Sequence, residues 1–139
     1  MKIQPQQSKG WHITLWILQG LLAAMYLMAG FTKVSQPMEQ LAQTLPWAAD
    51  MPGLARFIGV AEILGALGLI LPSLLRIKPS LTVLAAIGLA LIQVFAIIFH
   101  ISRGETAALG MNVVLLAVAI VIAWGRAKKA PISPKRTLA

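Results

Sequence analysis

Cysteine is absent from the sequence, and so are the motifs of several common cofactor sites. Without cysteine the chain cannot form disulfides, carry out thiol redox chemistry, or ligate an iron–sulfur cluster through sulfur. The sequence has no glycine-rich phosphate loop and no zinc-ligand spacing. Its two histidines, His12 and His100, lie near opposite membrane faces in the expected topology, which excludes haem ligation by this pair within one chain.

Charged residues are also scarce. They make up 12% of the 139 residues, whereas a soluble domain has about 25%. Hydrophobic residues make up 58%, and the mean hydropathy is +0.81. A water-soluble fold needs more charged surface than this chain can supply. The composition therefore predicts a membrane protein of one domain, with lipid as part of its solvent.

Four hydrophobic runs account for most of the chain, at about residues 13–31, 57–75, 81–99 and 107–124. As a helix, each covers roughly 28 Å, close to the hydrocarbon thickness of a bilayer. No small-residue cleavage site follows the first run, so we expect a retained helix. The later connections are short, which favours antiparallel neighbours. We predict an all-α fold, a four-transmembrane-helix antiparallel bundle, with a short interfacial helix at residues 38–45 of the long first loop.

The net charge of +8 comes from basic residues that flank the hydrophobic runs. This placement favours a topology signal over a nucleic-acid-binding surface. With four spans, nine basic residues fall on the side of the termini and three on the other side, so both termini are predicted to be cytoplasmic, in a multi-pass protein of a bacterial inner membrane. We divide the chain into a transmembrane domain, residues 1–126, and a basic cytoplasmic tail, residues 127–139, which we expect to be disordered. The nine are Lys2, Lys9, Arg76, Lys78, Arg126, Lys128, Lys129, Lys135 and Arg136; the three are Lys33, Arg56 and Arg103.

Glu62 is the most informative residue, because it lies inside the second hydrophobic run. A carboxylate facing lipid costs at least about 2.5 kcal/mol, so Glu62 must face the bundle and find partners. Lys33 at the end of the first helix is the predicted partner. Arg56, six positions from Glu62, falls on a different helical face. A buried structural carboxyl is the alternative to a functional one.

Three further polar residues, Gln93, His100 and Asn112, fall in the outer halves of the third and fourth runs. Gln93 and Asn112 suit hydrogen bonds between helices, and a histidine at an interface is commonly solvated. Taken together, the strongly polar intramembrane groups lie almost entirely in the outer half, with Gln19 as the main exception. This pattern predicts a polar pocket that opens to the outer face.

The sequence resembles the DoxX-like family of small four-helix membrane proteins. The resemblance rests on the segments LLAAMYLMAGFTK, RFIGVAEILGALGLILP, RIKPSLTVLAAIGLALI, HISRGE and AWGR, and it covers about residues 15–126. It implies the four-helix membrane fold. Some relatives are described as membrane subunits of thiosulfate:quinone oxidoreductases or of other membrane oxidoreductase complexes, and animal relatives act as receptor-assembly chaperones. Activity carried over from this resemblance is a fold-level analogy.

Two functional hypotheses follow. In the first, the chain is the membrane subunit of an oxidoreductase system and binds a quinone or a similar amphipathic molecule in the outer half. Electrons would then come from a redox partner protein or from a bound cofactor. In the second, it is a non-enzymatic lipid-binding or membrane-protein assembly partner. A homodimer is compatible with both, and a transporter is a third alternative. The expected binding residues are Lys33, Arg56, Glu62, Gln93, His100 and Asn112.

Overall fold

The fold is an α-helical bundle, described by a computed structural model for residues 9–135. Within this part of the chain there are six α-helices and no strand. Lys2 and Arg136, two of the residues in the charge count, lie outside the described residues. The helices are α1 (Lys9–Ser35), α2 (Met38–Thr44), α3 (Trp47–Asp50), α4 (Pro52–Leu75), α5 (Ser80–Ser102) and α6 (Leu109–Trp124).

Four of these helices are long and apolar enough to cross a membrane: α1, α4, α5 and α6 with its extension to Lys129. The predicted all-α bundle of four spanning helices is confirmed. Around the bundle, α1 packs on α4, α4 on α5, α5 on α6, and α6 back on α1. Neighbours in sequence are therefore antiparallel neighbours in space, as the short connections predict. The helices extend beyond several expected ends, because polar residues at a helix end reach the interface and need not stop the backbone.

Most large apolar side chains point away from the bundle. Leu21, Leu64, Leu84 and Phe95 are each more than half exposed, whereas the interior is a compact cluster. Because each helix buries only one stripe and stays apolar around the rest of its circumference, the exposed faces require lipid. The cluster consists of Leu22, Ala23, Tyr26, Ala66, Leu69, Ala86, Leu89, Ala119 and Ile122.

A second, smaller core covers one end of the bundle, which we call the outer end. It forms where α2 and α3 fold over the start of α4, and it buries Leu41, Trp47, Ala48 and Ala55. The Trp47 ring meets the edge of Phe99 from α5, with 5.5 Å between ring centroids. The short helix expected at residues 38–45 is confirmed as α2. The outer end is thus a packed cap and not a loose loop.

The opposite end, which we call the inner end, carries the α4–α5 turn and both ends of the described chain. Pro72 lies inside α4 and has no N–H to donate to the carbonyl of Gly68, four residues earlier. The Thr82 hydroxyl of α5 donates to that carbonyl at 3.1 Å. Thr82 Oγ1 also lies 2.7 Å from Ser73 Oγ. A neighbouring helix thus satisfies the backbone group that proline leaves open, as a bilayer requires.

After α6 the chain widens into a π-helical turn, Gly125–Lys129, and then folds back across the inner end. We call residues 130–135 the C-terminal strap. Its Ser133 carbonyl accepts a hydrogen bond from Arg76 Nε at 2.8 Å, and the Lys135 N–H donates to the Arg76 carbonyl at 2.8 Å. The strap therefore ties the end of α6 to the α4–α5 turn. The division of the chain at residue 126 and the disorder of the tail as a whole stay predictions.

Candidate functional site

The candidate site lies beside a close contact between α1 and α4. A Cβ atom added to Gly30 would lie 2.7 Å from the Gly59 carbonyl oxygen, and one added to Gly59 would lie 2.9 Å from the Gly30 carbonyl oxygen. Only glycine at both positions lets the two backbones approach this closely. The contact lies one turn from Lys33 on α1 and one turn from Glu62 on α4. It therefore sets the distance that these two side chains must bridge.

Lys33 and Glu62 form an ion pair at this contact. The Lys33 ammonium donates to Glu62 Oε1 at 3.2 Å and to Oε2 at 3.1 Å. The two side chains are only 13% and 7% exposed, so neither charge is left to solvent. The predicted pairing is confirmed. A buried pair costs desolvation of both charges, and the two-pronged contact offsets that cost.

Arg56 joins the same region through the backbone. Its guanidinium donates to the Lys33 carbonyl at 2.7 Å, near the end of α1. The last carbonyls of a helix have no intrahelical partner, so a cation there satisfies one of them and complements the helix dipole. Arg56 thus positions the backbone that carries Lys33 and, as expected from its helical face, contacts no carboxylate of the pair.

Deeper in the bundle, Gln93 of α5 meets Tyr26 of α1. Gln93 Nε2 donates to the Tyr26 hydroxyl oxygen at 2.6 Å, and both residues are buried. Tyr26 lies about two turns of α1 below Lys33, so this hydrogen bond is in the same half of the bundle as the ion pair. Tyr26 is absent from the residues singled out in the sequence, although it lies seven positions before Lys33, on the same face of α1.

Two amide atoms at this side of the bundle are buried without a hydrogen-bond partner among the described residues: Gln93 Oε1 and Asn112 Nδ2. Asn112 is in the first turn of α6, about 5 Å along the helix axis from its start, whereas Gln93 is about 13 Å below the end of α5. A buried amide atom without a partner costs about 1–3 kcal/mol. One acceptor and one donor are therefore left for something besides the protein.

His100 belongs to a different group, in the α5–α6 turn. Its Nδ1 lies 2.8 Å from Glu105 Oε2, and Arg103 Nε donates to Glu105 Oε1 at 2.6 Å. Gly104 between them has a φ of +70°, a conformation that favours glycine. Arg103 also lies 3.5 Å from Asp50 Oδ2 of α3, which ties the turn to the outer cap. The hydrogen bond from Arg103, ahead of that from His100, lowers the pKa of Glu105 below its ordinary value.

The inner half contains a second polar cluster, around Arg126. This side chain is 4% exposed, and its Nε donates to Gln19 Oε1 at 2.6 Å. One terminal nitrogen donates to the Ala130 carbonyl at 2.9 Å and to His12 Nδ1 at 3.0 Å. Gln19 Nε2 in turn donates to the Leu69 carbonyl at 2.6 Å. The expectation that polar intramembrane groups gather almost entirely in the outer half was therefore wrong, because Arg126 turns inward.

Together, Lys33, Glu62, Tyr26, Gln93 and Asn112 form what we call the outer polar cluster. It offers a paired charge, a hydroxyl and two unpartnered amide atoms inside an apolar bundle. Two surface cavities of the described chain, of about 450 and 360 Å³, are lined by residues outside this cluster. Neither of these two cavities reaches the cluster, so the predicted polar pocket that opens to the outer face stays a prediction.

Four spanning helices and a buried ion pair define the chain as a small polytopic α-helical membrane protein. More particularly, it belongs to the DoxX-like family, whose family model matches residues 17–122. No curated protein and no solved structure matches the chain. The resemblance noted in the sequence is thereby confirmed over nearly the whole membrane part.

Proposed function

We propose that this protein is the membrane subunit of an oxidoreductase system and that its outer polar cluster binds the head group of a quinone or a similar amphipathic molecule. The observation that carries this proposal is the pair of buried amide atoms without partners, Gln93 Oε1 and Asn112 Nδ2. Buried polar groups in folded proteins are nearly always hydrogen-bonded, and we infer that these two atoms contact a bound group.

The residues of the cluster fit a quinone head group. A quinone carbonyl accepts hydrogen bonds, which suits Asn112 Nδ2, and the hydroxyl of the reduced form donates, which suits Gln93 Oε1. A head group with both functions would meet one donor and one acceptor on facing helices, while its apolar tail extends into lipid. If the Gln93 amide were turned over, its Nε2 would be the unpartnered atom, and the need for a partner would remain.

Ionisable side chains in and beside the cluster would transfer protons and stabilise charge on the bound molecule. A quinone takes up two electrons and two protons on reduction. Glu62 would accept or relay protons, and Lys33, which gives two of its three N–H donors to Glu62, would polarise a carbonyl oxygen with the third. His100 would act at the outer rim, where Glu105 holds its ring. Arg56 would keep Lys33 in place through the end of α1.

Electrons would come from outside this chain. The sequence has no cysteine to hold an iron–sulfur cluster or to undergo thiol chemistry. We therefore propose a redox partner protein that delivers electrons to the bound molecule, with this chain supplying binding, orientation and electrostatics. Both termini would lie on the cytoplasmic side, as the basic residues predict.

The test is extraction of small molecules from protein purified in mild detergent, with identification by mass spectrometry. We expect a quinone or a similar molecule above the level in empty detergent, and less of it in Gln93→Leu and Asn112→Leu. Gln93→Leu removes the unpartnered oxygen while filling a similar volume. Thr44→Val, at the outer end but outside the cluster, is the control. Quinone at background level in folded wild-type protein would refute the proposal.

A non-enzymatic role, in lipid binding or membrane-protein assembly, is the second candidate. It is favoured by a lipid-facing cavity of about 360 Å³ between α4 and α5, lined by Ala61, Gly65, Gly88 and other apolar residues. Gly59 packs on α1, so the small residues of α4 that support this role are Ala61 and Gly65, which line the cavity. A stoichiometric lipid or membrane protein that co-purifies in the absence of any quinone would favour this candidate.

A further inference from the structure

Arg126 is a buried cation whose hydrogen-bond partners are all uncharged. Its acceptors are Gln19 Oε1, the Ala130 carbonyl, His12 Nδ1 and, at 3.5 Å, the His12 carbonyl. Because a guanidinium only donates, His12 Nδ1 must be an acceptor, and the ring is therefore neutral in this contact. These bonds satisfy most of the guanidinium N–H groups but leave its charge without a counterion. A buried charge is normally paired.

No acidic side chain of the chain can supply that counterion. The four are Glu39, Asp50, Glu62 and Glu105. Glu62 pairs with Lys33, and Asp50 and Glu105 with Arg103. Glu39 is in the first turn of α2, at the outer end. The inner end carries basic residues instead, including Arg76 and Lys78 in the α4–α5 turn. An anion that reaches Arg126 must therefore come from outside the described chain.

A cavity of about 450 Å³ lies beside Arg126. The C-terminal strap forms part of its wall through Pro131 and Ile132, and the start of α5 contributes Ser80. The first turn of a helix carries a partial positive charge, which adds to that of Arg126. The remaining wall runs along α5 through Leu84 and Ile87, which are 62% and 45% exposed and therefore face lipid. The cavity thus has a cationic inner part and an apolar, lipid-facing side.

We propose that this cavity binds an anionic phospholipid, with the lipid phosphate beside Arg126 and an acyl chain along Leu84 and Ile87. Charge complementarity selects the head group, and the apolar wall open to the bilayer selects a lipid over a soluble anion. Basic residues around such a pocket are the usual means of recognising anionic head groups in membrane proteins. The site is separate from the outer polar cluster and does not depend on the function proposed for that cluster.

The test compares two phospholipids with the same acyl chains, phosphatidylglycerol and phosphatidylcholine, added to the delipidated full chain in mild detergent. Bound lipid is counted by native mass spectrometry, and thermal stability is followed in the same samples. We expect phosphatidylglycerol to bind about tenfold more tightly than phosphatidylcholine and to raise the melting temperature more. Inorganic phosphate at millimolar concentration should produce neither effect.

Three variants locate the binding. Arg126→Gln keeps several hydrogen bonds but removes the charge, and it should abolish the preference for phosphatidylglycerol. Val83→Phe fills the cavity while leaving Arg126 in place, and it should weaken binding of both lipids. Lys9→Gln removes an exposed positive charge at the inner end that does not line the cavity, and it should leave the preference unchanged.

Equal binding of the two lipids to wild-type protein would overturn the proposal. So would a preference that survives in folded Arg126→Gln, or undiminished binding of the lipids to folded Val83→Phe. Stabilisation by inorganic phosphate as large as that by the lipid would mean that the site takes a small soluble anion, and the lipid assignment would be wrong. If Arg126→Gln does not fold, the wild-type comparison and Val83→Phe still decide the matter.

Discussion

Lys33 and Glu62 face each other across the closest approach of α1 and α4, and the ammonium of one contacts both carboxylate oxygens of the other, at 3.1 and 3.2 Å. Both side chains lie in helices that cross the membrane, where an unpaired charge is expensive. Each side chain of the ion pair therefore depends on the other to offset its charge.

The first prediction is that Lys33 and Glu62 are energetically coupled. Glu62→Gln and Lys33→Met should each lower the free energy of unfolding by about 3 kcal/mol, because each leaves the other charge buried and unpaired. The double variant should lose clearly less than the sum, by about 1–3 kcal/mol. Reversible unfolding in detergent measures all four proteins of the cycle. Additive losses would mean that the two side chains do not interact.

The second prediction concerns the glycines that hold the two helices together. Gly30→Ala and Gly59→Ala should each destabilise the protein by about 1–3 kcal/mol, because the new methyl group meets backbone oxygen of the other helix. Gly20→Ala is the matched control, since a Cβ atom at Gly20 meets nothing within 4 Å. Thermal unfolding in detergent provides the comparison. Equal stability of the three variants would contradict the close approach of α1 and α4.

The third prediction is a pH dependence at the outer end. Hydrogen bonds from Arg103 and His100 lower the pKa of Glu105 from its ordinary value of 4.5, so its ionised form is favoured in the folded state. Its contribution to stability is complete above pH 4.5 and is lost as pH falls through the lower, folded-state pKa.

Wild type should therefore have a higher melting temperature than Glu105→Gln at pH 7, and the difference should shrink as the pH is lowered below 4.5. Melting curves of both proteins from pH 7 to pH 3 measure this. A difference that stays constant over the whole range would exclude Glu105 as its source.

The fourth prediction is topology, with both termini in the cytoplasm. Because the chain has no cysteine, single cysteines can be introduced without background. Cysteines at Gln43 and Thr106 should react with an impermeant thiol reagent on intact spheroplasts, and one at Ser133 should react only after lysis. Thr106 is preferred to the neighbouring Gly104, whose φ of +70° would strain a cysteine. The reverse labelling pattern would show that the bundle is inverted.

The four spanning helices could be predicted from the sequence because the thickness of the bilayer sets the length of a spanning segment, and its apolar interior sets the hydropathy. The Lys33–Glu62 pair could be predicted because two opposite charges at similar depth on consecutive helices have few other partners in lipid. Asn112 and Gln93 could be identified from the sequence as polar residues within the spans, but their unpartnered atoms depend on side-chain geometry, which spacing does not determine. Tyr26 was missed because a tyrosine in an apolar helix looks like an ordinary core residue.

Arg126 could not be recognised as buried, because it follows a span among other basic residues, where topology explains all of them equally well. Its burial depends on the π-helical turn and on the C-terminal strap, neither of which leaves a periodic signal. One clue was present in α1: His12, Trp16 and Gln19 are spaced by four and three residues and so share a face. A polar face at the inner end of a spanning helix requires a polar partner.

Titration with a short-chain quinone tests the central claim most directly, namely that the outer polar cluster binds a quinone-like head group. Trp47 packs against Phe99 at the outer end and serves as reporter when Trp11, Trp16 and Trp124 are replaced by phenylalanine. We predict saturable quenching of Trp47, with dissociation constants raised about fivefold or more in Gln93→Leu and Asn112→Leu, and unchanged in Thr44→Val. Non-saturable quenching, or the same dissociation constant in all four proteins, would contradict the account.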